Sequence, residues 1–370
     1  MENPYRTDRE TAAAALGDTD MRAVVVRETG VPEVLRLERR PRPQAGDHEV
    51  LLRVLACGVC TLDVVTRQGV YRRGVELPLI PGHEICGVVV AAGRAVSTFR
   101  AGDRVATTQR FHVCGRCRLC RNGDETLCIE RRFLGQQGLR GGYADYVAVA
   151  DDQIAIVPDG VSDAQAAIAA CAVGTSLNAV RDTGRVQLGE RVLVTGAGGG
   201  LGVHAVQLAR SAGAWVMAQT TSQDKADLLA ELGADDVLVT ARGEDFSRRV
   251  LAATEGHGVD VAIDNVGTLQ FEATRRSLAI NGRWVLVGQL GGDFVPFNPA
   301  QLFLKNQSML SVHSTSRTQL EDTLALIARG AVRPVVSEVC EPHELPTVHH
   351  RMERGGVAGR VVVRMNGVPA

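Results

Sequence analysis

Arg191-Val192-Leu193-Val194-Thr195-Gly196-Ala197-Gly198-Gly199-Gly200-Leu201-Gly202 decides the fold of this chain. Its first five residues have the composition of a buried strand, and a helical stretch, 202–212, follows the glycines at once. The spacing Gly196-x-x-Gly199-x-x-Gly202 lets backbone amides and a helix N-terminus approach a pyrophosphate with no Cβ in the way. Glycines alone would read as a loop. Set between a strand and a helix, they read as a dinucleotide-binding turn. Further strands at 215–218, 237–239, 259–264 and 283–287, with a helix at 225–232, continue the alternation. The class is α/β, with a doubly wound parallel sheet.

An NAD-binding unit places an acid at the end of its second strand to hold the ribose hydroxyls. Here that strand leads into Gln219-Thr220-Thr221-Ser222-Gln223-Asp224-Lys225, with no acid at the expected place. Ser222 and Lys225, with Thr220, are candidates for a 2′-phosphate, which favours NADP(H) over NAD(H). The plain alternative is that Lys225 only starts the next helix.

The first half is β-rich, with β-branched runs at 22–26, 50–54, 87–90 and 146–149 between Gly/Pro turns. A chain of 370 residues with 45% hydrophobic content buries a large core and divides into two domains. Its net charge of −1 predicts no general attraction to nucleic acid or to anionic membrane. Residues 1–20 are too polar for a signal peptide or a span, and read as a leader. Nine cysteines without a secretory signal point to a reducing compartment, the cytoplasm.

Cys114, Cys117, Cys120 and Cys128 form a C-x2-C-x2-C-x7-C run, able to close a tetrahedral, structural zinc site. An iron–sulfur cluster fits less well, because the bacterial ferredoxin run ends in C-x3-C-P. A nucleic-acid-binding finger, suggested by Arg116, Arg118, Arg121, Arg131 and Arg132, conflicts with the balanced overall charge.

Cys60, His83 and Cys171 each have a dull reading as core residues. Their settings change it: Cys57-Gly58-Val59-Cys60-Thr61-Leu62-Asp63, Pro81-Gly82-His83-Glu84 and Ala170-Cys171-Ala172-Val173-Gly174-Thr175. With the four-cysteine lobe and the GAGGGLG turn, in this order, the chain from about Met21 onward resembles the zinc-dependent alcohol dehydrogenases of the medium-chain dehydrogenase/reductase family. The resemblance implies a GroES-like catalytic domain over 21–172, a Rossmann domain over 173–311, and a return to the catalytic domain over 312–370. It makes Cys60, His83 and Cys171 the ligands of a catalytic zinc with an open fourth position, giving two zinc ions per subunit with the lobe. Asp63 would orient His83, and Glu84 would lie behind the metal. Thr175, Val266 and the Val287-Gly288 turn would face the cofactor, and Arg360 would reach its pyrophosphate. A homodimer or homotetramer acting on a small molecule is implied as well. Cys57, Cys86 and Cys340 are left over, with a Cys57–Cys60 redox pair as an alternative use.

The family's relay of the alcohol proton uses a hydroxyl two residues after the first ligand cysteine and often a histidine three further on. This chain has Leu62 and Val65 there, and neither moves a proton. A branch resembling acryloyl-CoA reductase also lacks the relay, and 193–206 and 263–266 look similar to it. The expected activity is therefore alcohol–carbonyl interconversion, with reduction of an activated alkene as the alternative. A silent dinucleotide-binding protein is the reading from another class, and the complete ligand set speaks against it.

Overall fold

The computed structural model describes residues 19–291 and 293–366. The expected leader therefore lies outside the described residues except for its last two positions. The first strand, Asp20–Val25, starts earlier than its apolar residues suggest, because it pairs antiparallel with Arg36–Pro41, Asp20 opposite Pro41.

The chain forms two compact units. The first runs to Cys171 and takes back Thr315–Ala328 and Val336 onward; the second holds Ala172–Ser314 and Arg329–Val335. The last segment was expected to belong with the C-terminal return. Hydrogen bonds tie it to the helix Gly202–Ser211 instead: Arg333 N donates to Gln207 Oε1 (2.8 Å) and Val335 N to His204 Nε2 (3.0 Å).

The second unit is a six-stranded parallel sheet in the order Asp236–Val239, Trp215–Thr220, Arg191–Thr195, Val259–Asp264, Leu278–Leu286, Ser308–Ser311. The sequence order reverses between Arg191–Thr195 and Val259–Asp264, and ligands bind beyond the carboxyl ends of strands at such a reversal. Leu193, Met217, Ala262 and Trp284 belong to its core, which is why these strands read as continuous apolar runs. Helix Gly202–Ser211 buries Val203, Ala205, Val206 and Ala209.

The first unit is built on a mixed sheet in the order Val336–Cys340, Arg360–Arg364, Glu49–Val59, Glu84–Ala92, Arg104–Thr107, Ile154–Ile156, with Tyr146–Ala150 also pairing Glu49–Val59. Glu49–Val59 is buried almost throughout and shifts register at two points against Glu84–Ala92; such bulges bend a strand. Its end runs straight into Cys60. Glu84–Ala92 starts immediately after His83, and Arg360 opens the strand whose Val361 lies opposite Val59. Three strand ends thus deliver Cys60, His83, Glu84 and Arg360 to one edge. Among the described residues, no helix is long and apolar enough to cross a membrane.

Candidate active site and metal centres

Cys60 caps the helix Thr61–Arg67. Its sulfur accepts from Leu62 N (3.5 Å), and the Asp63 carboxylate reaches back to Cys60 N (2.9 Å). This reciprocal capping needs an acid three residues after the cap, and Cys-Thr-Leu-Asp supplies it. Asp63, 2% exposed, accepts three further bonds: from Tyr143 Oη on Oδ2, and from Gly82 N and His83 Nδ1 on Oδ1, each 3.2 Å. His83 is thereby fixed with Nδ1 on Asp63, while Nε2 is buried without a hydrogen-bond partner. Ligand atoms of Cys60, His83, Glu84 and Cys171 all lie within 4.8 Å of one another, and all four residues are buried. Two sulfurs and one imidazole nitrogen, with that nitrogen otherwise orphaned, fit a zinc ion that keeps an open position.

Arg360 is the cation of this cluster. Its Nη2 lies 2.8 Å from Glu84 Oε1 and donates to Cys60 Sγ (3.3 Å) and Cys171 Sγ (3.5 Å). The resemblance put Arg360 at the cofactor pyrophosphate. In the structure its guanidinium is taken up by Glu84 and the two sulfurs. The Cys171 thiol, with Arg360 and His83, holds Cys60 well below the usual thiol range; the same Cys60 contact and burial push Cys171 well up. Burial drives the Glu84 carboxyl up to about 7, against the pull of Arg360. Gly58 leaves the space that Glu84 occupies, since a Cβ there would meet its carboxylate.

Cys57 is a different kind of thiol. It donates to Gly58 O (3.5 Å), and burial with Asp63 nearby raises its pKa well above the ordinary value. Cys57 is thus held as a protonated thiol, and Cys57 and Cys60 are both free. Cys86 and Cys340 are also buried, and burial raises both.

The four-cysteine lobe closes on itself. Cys117 Sγ and Cys120 Sγ are 3.5 Å apart, Cys128 Sγ and Cys114 Sγ 3.5 Å, and Cys114 Sγ and Cys120 Sγ 4.0 Å. Tetrahedral Zn–S bonds near 2.3 Å require sulfurs roughly 3.8 Å apart, so a zinc ion fits here too. Backbone amides of Cys114, Cys117 and Cys120 donate to neighbouring sulfurs, and the Cys120 amide leads the effects that draw Cys117 down to about 6.

In the second unit Gly196 has φ +58°, and its N donates to Gln219 Oε1 (3.1 Å). A Cβ on Gly202 would come within 2.5 Å of Ala197 Cα, so the helix can start only at glycine. A Cβ on Gly198 would meet Lys225 Cδ at 2.5 Å and Thr220 Oγ1 at 3.3 Å, which places both side chains against the turn. Ser222 N donates to Thr220 Oγ1 (3.3 Å). Gly199, Gly200 and Leu201 complete the turn, and Leu201 O accepts from Ser176 Oγ (3.0 Å), next to Thr175. Val266, Val287 and Gly288 follow the strands Val259–Asp264 and Leu278–Leu286, and Leu290 N donates to Val266 O (3.0 Å). The turn, Thr220, Ser222, Lys225, Val266, Val287 and Gly288 thus lie at or beyond the carboxyl ends of strands of one sheet, and Thr175 opens the helix whose Ser176 meets Leu201.

Sequence reasoning missed Tyr143, the cation role of Arg360, Ser176 and the buried Asp264. The alternation in Gly141-Gly142-Tyr143-Ala144-Asp145-Tyr146 was the one available signal for Tyr143.

Residues 46–159 match the family described as the alcohol dehydrogenase GroES-like domain, and 200–329 match the zinc-binding dehydrogenases. An alcohol dehydrogenase of Geobacillus stearothermophilus is 33% identical over 93% of this chain and 99% of its own length. An acryloyl-coenzyme A reductase of Sulfurisphaera tokodaii is 30% identical, over 93% of this chain and all of its own. The crystal structure of AibC superposes with a TM-score of 0.88 at 41% identity, covering 95% and 97% of the two chains.

Proposed function

The chain belongs to the zinc-binding dehydrogenases and is an NAD(P)-dependent oxidoreductase, and we propose that Cys60, His83 and Cys171 hold its catalytic zinc for alcohol–carbonyl interconversion. The observation that carries this is the buried Cys60–His83–Glu84–Cys171 cluster with His83 Nε2 left unpartnered. Zinc bound there supplies a Lewis acid for a carbonyl oxygen, and the nicotinamide supplies or takes the hydride. The protein's own part is to hold the donors. Asp63 fixes the ring of His83 and the backbone of Cys60, Arg360 balances the anionic groups, and burial keeps water from the ligands. The lobe of Cys114, Cys117, Cys120 and Cys128 takes a second, structural zinc.

NADPH is the preferred cofactor. Lys225 and Thr220 beside Gly198 support this, as does the absence of an acid at the end of Trp215–Thr220. The chain works in the cytoplasm, in keeping with nine cysteines none of which is paired, and forms a homodimer or homotetramer. Exposed Leu290, Phe294, Phe303 and Leu304 near the open edge strand Ser308–Ser311 offer an apolar surface for such assembly.

A second reading is reduction of an activated alkene in an enone or enoyl thioester. Leu62 and Val65 stand three residues apart on the helix that Cys60 caps, and residues so spaced share a face. That face is apolar where a proton relay would need polar groups. The test is NADPH oxidation by zinc-replete protein with an aldehyde and with an enone or enoyl thioester of similar size, products identified. An alcohol product establishes the first reading; a saturated product with the carbonyl intact replaces it with the second.

A further inference from the structure

Asp264 is fully buried, and no cation pairs with its carboxylate among the described residues. It is satisfied by four hydrogen bonds instead. Oδ1 accepts from Thr195 Oγ1 (2.7 Å), Val266 N (2.9 Å) and Gly267 N (3.0 Å); Oδ2 accepts from Trp284 Nε1 (3.0 Å). Its main-chain oxygen accepts from Val287 N (2.9 Å) and Gly288 N (3.2 Å). Thr195 is the last residue of the strand that enters the glycine turn, and its hydroxyl oxygen also accepts from Asn265 N (3.2 Å). One residue at the reversal of the sheet thus anchors the turn's strand, the loop 265–267 and the loop 287–288. A neutral side chain could not serve both oxygens, because all four of its partners are donors. A buried charge held only by neutral donors is costly to place, and it persists where the surrounding geometry must be fixed.

We propose that Asp264 is a positioning residue for the nicotinamide end of the cofactor site: its carboxylate holds the loop that carries Val266 and ties it to Trp284, while its main-chain oxygen holds Val287 and Gly288. This rests on the reading of those residues as cofactor-facing. In Asp264→Asn the amide keeps its oxygen toward Thr195, Val266 and Gly267 and turns its NH2 on Trp284 Nε1–H, donor against donor. The side chain is then pushed off Trp284, and the loop that carries Val266 moves with it while the glycine turn stays.

The full-length protein and Asp264→Asn are titrated with NADPH, with 2′,5′-ADP and with 5′-ADP, the last two lacking the nicotinamide half. The expected result is about tenfold weaker NADPH binding with both fragments bound as before, in line with the loss of charge-assisted hydrogen bonds. Trp284→Phe added to Asp264→Asn should restore part of the NADPH affinity by removing the opposed donor. An equal loss for NADPH and fragments, or no loss at all, overturns the proposal and leaves Asp264 as a support of the sheet. Failure of the unaltered protein to bind NADPH and either fragment would instead overturn the cofactor reading beneath it. If Asp264→Asn does not fold, Thr195→Val removes one donor at the same oxygen. It must then lower NADPH affinity several-fold while sparing the fragments, and equal effects on both sink the idea.

Discussion

The two candidate metal centres of the first unit solve one problem in opposite ways. The lobe offers four cysteines from Cys114 to Cys128, three of them half-buried and Cys128 buried, with backbone amides as their main polar company. The other cluster offers unlike groups from Cys60, His83 and Cys171, all buried, with Asp63, Tyr143, Glu84 and Arg360 arranged around them. Closing a short loop costs little chain entropy, so metal alone can organise the lobe. The buried cluster is held by strand ends and by the helix that Cys60 caps, which bring Arg360 in beside its acidic groups. Short spacing suits a clasp; long spacing suits a site that needs a designed environment.

The contrast is broken most severely at Cys60. Cys60→Ser should lower turnover by at least about 10^3-fold, since Lewis-acid stabilisation supplies several kcal/mol. It should remove one zinc per chain by metal analysis and leave NADPH binding and the circular dichroism spectrum in place. Full turnover by a metal-free variant would reverse the assignment. Cys128→Ala attacks the other centre and should do the opposite. The second zinc is lost and the melting temperature falls by several degrees, because a structural zinc contributes folding energy directly. Limited proteolysis should then cut between residues 112 and 132, and an unchanged cleavage pattern would show that the lobe needs no metal.

Asp63 tests whether the environment matters as much as the ligands. Asp63→Asn keeps the shape but opposes two of four donors with its own NH2. Orienting groups of this kind carry about 10- to 100-fold in metal affinity, so zinc should leave the variant faster under chelator challenge. Tyr143→Phe removes a single donor and should cost only a few-fold, roughly 1 kcal/mol. Equal chelator sensitivity of all three proteins would mean the ligands suffice.

His349 sharpens the comparison on the stability side. It is fully buried, neither ring nitrogen has a hydrogen-bond partner, and burial holds its pKa down to about 4 from 6.5. A depressed histidine is neutral in the fold and charged in the unfolded chain at mild acid. Its contribution is present above pH 6.5 and is lost as pH falls from there toward 4, by about 3 kcal/mol. His349→Leu should flatten that part of the pH–melting curve and raise the melting temperature at pH 5. A slope identical to the parent's would assign the acid sensitivity to other groups.

What the sequence disclosed follows the same division. The glycine turn and the lobe were legible because their ligands are neighbours in the chain. The strand limits Arg191–Thr195 and Val259–Asp264 were legible from buried β-branched runs. Arg36–Pro41 was not, because an exposed, charge-rich edge strand that ends in proline looks like loop. Cys60, His83 and Cys171 emerged only through family resemblance, since no local pattern links residues so far apart. The contacts of Arg360 with Glu84, Cys60 and Cys171 were hidden for the same reason: they are set by strand register, with Val361 opposite Val59.

That register has a consequence in the order of synthesis. Cys60 leaves the ribosome 300 residues before Arg360. Until then Glu84 and the Cys60 sulfur lack the guanidinium that ties them to the last strand, and unpaired buried charge is strongly unfavourable. The first unit therefore completes this edge of its sheet only when its last strand, Arg360–Arg364, has been made and pairs with Glu49–Val59.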